Sequence, residues 1–97
     1  MAVEISTLLE AIPGVRRGRM RIAGTGITVH RIATWWNMGS TPEEIAANYS
    51  RLSLASVLAA LTYYEANKAE IDAEIAADAA EEEELARVDR LGSTVGS

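Results

Sequence analysis

Apolar residues recur at two different periods along this chain, and the change of period marks its elements. Arg19 to Ile22 alternates polar and apolar, with Met20 and Ile22 on one side, and Ile27 and Val29 resume that alternation. Gly24-Thr25-Gly26 between them supplies the backbone freedom for a reversal, so a two-stranded hairpin or a paired extended arm is expected. Before it, Thr7 to Ile12 suits one helical turn or a short strand, which Pro13-Gly14 ends.

From Thr28 or Val29 the period becomes helical. Ile32, Trp35 and Trp36 recur at helical spacing up to Met38, and Gly39 fits the left-handed position past a helix end. Thr41-Pro42-Glu43-Glu44 reads as a capping box with proline at the first helical position. Ile45, Ala46 and Tyr49 are that short helix's inward face, and it ends near Asn48 or Tyr49. Ser53 caps a third helix striped by Leu54, Val57, Leu58, Leu61 and Tyr64. Residues 65–90 contain no Gly or Pro, so this helix is expected to run on to Leu91, about 38 residues or roughly 57 Å. Beyond Tyr64 it would project from the domain.

The fold expected is mainly α: a short N-terminal β-hairpin or arm, a trihelical helix-turn-helix unit and a long C-terminal helix. The divisions are residues 1–64 for arm and helix-turn-helix, 65–91 for a helical extension and 92–97 for a flexible tail. The later heptad positions include Lys68, Asp78 and Glu82, which argues against a long autonomous coiled coil.

Charge divides the chain. Residues 1–62 carry six arginines against four glutamates, a net +2, whereas residues 63–97 carry three cations against ten carboxylates, a net −7. The first part can approach phosphates, and the second suits a basic partner. Arg16, Arg17, Arg19 and Arg21 are the densest positive cluster. They would straddle a DNA backbone, or neutralise the acidic helix of a neighbouring subunit. Arg51, Ser53 and Ser56 stand where a recognition helix meets bases or phosphates, although Asn, Gln and Lys are scarce there.

Other chemistry finds little support. The chain has no cysteine and one histidine, His30, so zinc lacks its usual ligands and no Ser/His/Asp or Cys/His nucleophile stands out. His30 is expected at the surface or bonded to backbone. Gly24-Thr25-Gly26 lacks the GK[ST] ending of a phosphate loop. No cofactor, metal or enzymatic activity is expected. No apolar run approaches the roughly 18 residues of a membrane span, and the N-terminus lacks a basic leader, so a cytoplasmic protein is expected. Trp35 and Trp36 point about 100° apart on a helix. They are either two packing residues or one core residue beside a dimerisation anchor. A chain this short often gains stability by pairing.

Pro13-Gly14, Gly18-Arg19, Ile22-Ala23-Gly24-Thr25, Ile27-Thr28-Val29, Gly39 to Ile45 and Leu52 to Tyr64 together resemble domain of unknown function 433 (DUF433). The resemblance implies a homeodomain-like, three-helix DNA-binding fold behind a Gly-Arg-Pro-x-Ile-x-Gly-Thr-Arg-Ile-x-Val segment. It further implies a VapB-type antitoxin of a type II toxin-antitoxin system, partnered with a PIN-like ribonuclease toxin, binding operator DNA, and forming a homodimer or higher toxin-antitoxin assembly. Met20 replaces the usual proline and Gly26 the usual arginine, for which Arg31 is a candidate substitute. Under this reading Arg16, Arg17, Arg19, Arg21, Arg31, Arg51, Ser53 and Ser56 contact DNA. Ile71, Ile75, Leu85 and Val88 anchor the toxin, with Arg87 or Arg90 reaching its active-site carboxylates. Deleting residues 65–97 should then abolish neutralisation and leave the domain folded. The alternative is a dimeric protein-interaction module that does not bind DNA.

Overall fold

The computed structural model describes the backbone of residues 7–95 and the side chains of residues 7–89. A short sheet, three packed helices and one long helix follow in chain order. β1 (Leu9–Glu10) pairs antiparallel with β2 (Arg21–Ile22), in register Leu9 to Ile22 and Glu10 to Arg21. The expected reversal at Gly24 is present: the Ile22 amide donates to Ile27 O (2.9 Å) and the Val29 amide to Met20 O (2.9 Å). Only an isolated bridge, Arg21 to Thr28, forms across it. The strand partner of β2 is therefore Leu9–Glu10, and the earlier segment is a strand rather than a helical turn.

α1 (Val29–Asn37) starts where the Thr28 side chain accepts the Arg31 amide. It ends in a Schellman closure, with Ser40 N donating to Trp35 O (3.1 Å) and Gly39 N to Trp36 O (3.0 Å). Gly39 has φ +101°, which a side chain would resist. α2 (Pro42–Ala47) has the expected capping box: Glu44 N donates to Thr41 Oγ1 (3.1 Å), and Thr41 N to Glu44 Oε1 (2.9 Å). That backbone hydrogen bond lowers the Glu44 carboxyl below its ordinary pKa. α3 (Leu54–Ala66) is capped reciprocally by Ser53 and Ser56 (3.1 Å each way).

The long helix is broken where the sequence suggests continuity. Asn67 leaves the helical region (φ −128°, ψ 30°), and its side-chain amide donates to Tyr63 O (3.0 Å). α4 (Lys68–Val95) begins at the next residue. The break lets Ile71 enter the core, where it is 2% exposed, and Ile75 pack against it. Burying one isoleucine is worth roughly 1.5–3 kcal/mol, more than one helical residue's propensity. The Tyr64 hydroxyl bridges the break. It donates to Asp72 Oδ1 (2.6 Å) and accepts from Lys68 Nζ (3.0 Å) and Asn37 Nδ2 (3.1 Å). These contacts hold Lys68 protonated above its ordinary pKa, the hydrogen bond to Tyr64 contributing most.

Ile22, Val29, Ile32, Ile45, Leu52, Val57, Tyr64 and Ile71 form one core. The sheet, α1, α2, α3 and the first turns of α4 all contribute to it, so the domain does not end at residue 64. α4 continues past the tail expected from Gly92 as far as Val95, and residues 96–97 lie outside the described residues. The molecule is elongated, 62 Å along its longest axis against 29 and 26 Å across it.

Candidate interaction surfaces

The arginine arm faces the inner half of α4. Between the strands, Arg16 (φ 51°), Arg17 (φ 58°) and Gly18 (φ 71°) form a left-handed turn, a costly conformation for two arginines. The turn aims alternate guanidinium groups at an acidic stripe. Arg19 makes a bidentate pair with Asp78 (Nη1 to Oδ2 2.7 Å, Nη2 to Oδ1 3.2 Å). Arg17 reaches Asp78 Oδ1 (3.2 Å) and Glu81 Oε2 (3.2 Å). Arg21 is taken by its cross-strand neighbour Glu10 (2.7 Å). The Arg19 hydrogen bond lowers the Asp78 pKa, and the same bond raises that of Arg19.

Three of the four clustered arginines are thus committed to carboxylates within the chain, a DNA contact for each of them requiring that pair to open. Among the described residues, Arg16, Arg31 and Arg51 make no ion pair. Arg16 lies over Gly26, and Arg31 sits 5.9 Å from the Trp35 ring centroid. Both line an open groove of about 760 Å³, whose opposite wall is Asp78, Glu81, Glu82 and Leu85 of α4.

His30 is buried rather than superficial, 7% exposed, with Nε2 2.8 Å from Glu74 Oε1. Its Nδ1 is buried without a hydrogen-bond partner. Glu74, Asp78 and Glu81 recur at helical spacing on α4, and all three face cations or imidazole of the arm and α1. That stripe, set against the period-two arginines, is the sequence signal closest to this pairing, which the sequence alone did not place within the chain. Among the described residues no three His, Cys, Asp or Glu side chains could hold a metal ion, and no helix is long and apolar enough to cross a membrane.

Several expected site residues are placed otherwise. Ser56 is 4% exposed and serves the α3 cap, so it cannot meet DNA; Ser53 is an exposed residue, but its hydroxyl accepts the Ser56 amide. Ile71 and Ile75 belong to the core and its edge, which removes them as toxin anchors. A deletion from residue 65 would strip Ile71 from the core, so the remaining domain would not stay folded as expected. Leu85 (61% exposed) and Val88 (54%) remain open on α4, and Arg87 pairs with Glu84 at 2.7 Å. The Arg90 side chain lies outside the described residues. Trp35 is half-buried and stacks on Tyr49, with centroids 5.2 Å apart, while Trp36 faces outward at 42%.

Sequence reasoning missed one surface. α3 is apolar on its outer face as well as its inner one, with Leu54 41% and Leu58 47% exposed. The absence of any charged residue from Leu54 to Tyr64 was the available sign.

An arm, a trihelical helix-turn-helix unit and a long acidic helix make up the fold of this chain. Comparison with known proteins agrees on the family. The model described as "Protein of unknown function (DUF433)" matches residues 9–64, and the chain belongs to that family. A crystal structure of a DUF433 member from Anabaena variabilis is 36% identical and superposes with a TM-score of 0.68, over 74% of this chain and 71% of that one. No curated protein matches the chain.

Proposed function

We propose that this protein is a non-enzymatic, cytoplasmic antitoxin of the VapB type, capturing a basic PIN-like ribonuclease through the outer half of α4. The supporting observation is the exposure of Leu85 and Val88, 61% and 54%, within the acidic run that begins at Glu81. They lie three residues apart and therefore on one helical face. An exposed acidic helix with two apolar anchors fits a groove in a protein whose surface binds RNA. Arg87 is held only by an exposed pair with Glu84, which costs little to open. Co-expression with the adjacent gene should give a co-purifying complex by size exclusion with light scattering. The partner should cleave RNA once freed. Recovery of this chain with no partner, and no inhibition of the neighbour's product, would overturn the reading.

A second activity, operator DNA binding, is supported by Arg16 and Arg31, cations with no carboxylate partner among the described residues. In this reading phosphate contact falls to that pair, with Arg17 and Arg19 joining only when their α4 carboxylates are displaced.

A further inference from the structure

The outer face of α3 has no occupant within the chain. Leu54, Ala55, Leu58 and Thr62 are exposed and Leu61 is half-buried. At 100° per residue, all lie within about 60° of Leu58 around the helix axis. A helix apolar on both faces is normally covered on both.

Charge at the ends of this face identifies the cover. Arg51 is exposed at the N-terminal end of α3 and Glu65 is exposed at its C-terminal end. Neither makes an ion pair among the described residues. Leu58 stands midway between them in sequence. We propose that the α3 face is a two-fold self-association interface, in which two copies pack α3 antiparallel across Leu58.

That arrangement is self-complementary, as a two-fold interface must be. Leu58 meets its own copy on the axis, Leu54 meets Thr62, and Ala55 meets Leu61. Arg51 of each copy lies against Glu65 of the other. Within one chain these two sit at opposite ends of the helix, about 20 Å apart, too far to pair with each other. A nucleic acid would find no cation along the uncharged stretch from Leu54 to Tyr64, and a basic ribonuclease no carboxylate. The inference is independent of the antitoxin reading, because a chain that captures no ribonuclease would still form this dimer.

Sedimentation and light scattering on the full chain at about 100 µM should give a dimer, and Leu58→Glu a monomer with unchanged helical circular dichroism. Arg51→Glu and Glu65→Arg should each raise the dissociation constant about tenfold, and the double swap should restore it. The chain has no cysteine, so Leu58→Cys gives a single thiol that should oxidise to a linked dimer, whereas Thr62→Cys should not. A monomeric wild type, or a double swap no better than the single ones, would overturn the proposal. So would Leu58→Cys linking no faster than Thr62→Cys.

Discussion

Arg19 and Asp78, 59 residues apart in sequence, meet as a bidentate ion pair that fastens α4 to the N-terminal arm. The Arg19 side chain is only 16% exposed, so its loss should cost more than an ordinary surface pair, about 1–2 kcal/mol for Arg19→Ala. The pH dependence follows from Asp78, whose folded pKa lies below its unfolded one because it accepts from Arg19. Its contribution is present above the unfolded value, about pH 4, and is lost as pH falls through the folded value. Arg19, raised by the same bond, stays charged throughout this window. Urea midpoints of wild type and Asp78→Asn should therefore differ most near about pH 7 and converge in acid. A constant gap would contradict this assignment.

Ile71 makes the inner turns of α4 part of the domain. Ile71→Ala should destabilise by about 2–5 kcal/mol in chemical denaturation. A chain ending at Glu81 should retain cooperative unfolding, whereas one ending at Tyr64 should lose it. Equal unfolding of the two truncations would show that Ile71 has no structural part.

Two glycines separate backbone from packing. At Gly39 an added Cβ meets nothing within 4 Å, but φ is +101°, so Gly39→Ala should cost about 1–2 kcal/mol through the backbone alone. At Gly26 φ is ordinary and the added Cβ meets only the Arg16 Nη2 end, 3.2 Å away. That flexible end can move aside, so Gly26→Ala should be within about 0.5 kcal/mol of wild type. Thermal melts of both variants check the contrast.

Any DNA binding should depend on the unpaired cations. Replacing Arg16 and Arg31 together by Ala should flatten the slope of log K against log salt by about two. Replacing Arg21, held by Glu10, should leave that slope unchanged and lower stability instead. Fluorescence anisotropy on operator duplex across a salt series measures both.

Local signals were legible in the sequence where chemistry is local. Thr41 and Ser53 cap their helices, Thr28 stands where the first one begins, and Gly39 closes that one, because each acts on residues within one turn. The break at Asn67 was not legible, since propensity from Glu65 onward favours a continuous helix. Burial of Ile71 and the Tyr64–Asp72 hydrogen bond, both tertiary, decide it. The arginine cluster and the acidic stripe were both legible as charge, but the sequence left open whether they pair; Asp78 and Glu81 meet the arginines within the same chain, a tertiary contact. Ser56 shows the same limit on a smaller scale: its hydroxyl faces the Ser53 amide rather than solvent.

In the proposed antitoxin reading, Leu85 and Val88 on α4 seat the partner. The test is isothermal titration of the purified product of the adjacent gene, the proposed ribonuclease, with wild type and with Leu85→Asp/Val88→Asp. Both positions are exposed, so the variant should fold as wild type does. Binding should weaken at least about a hundredfold and inhibition should be lost for the variant. Undiminished affinity would contradict it and move the docking surface elsewhere on the molecule.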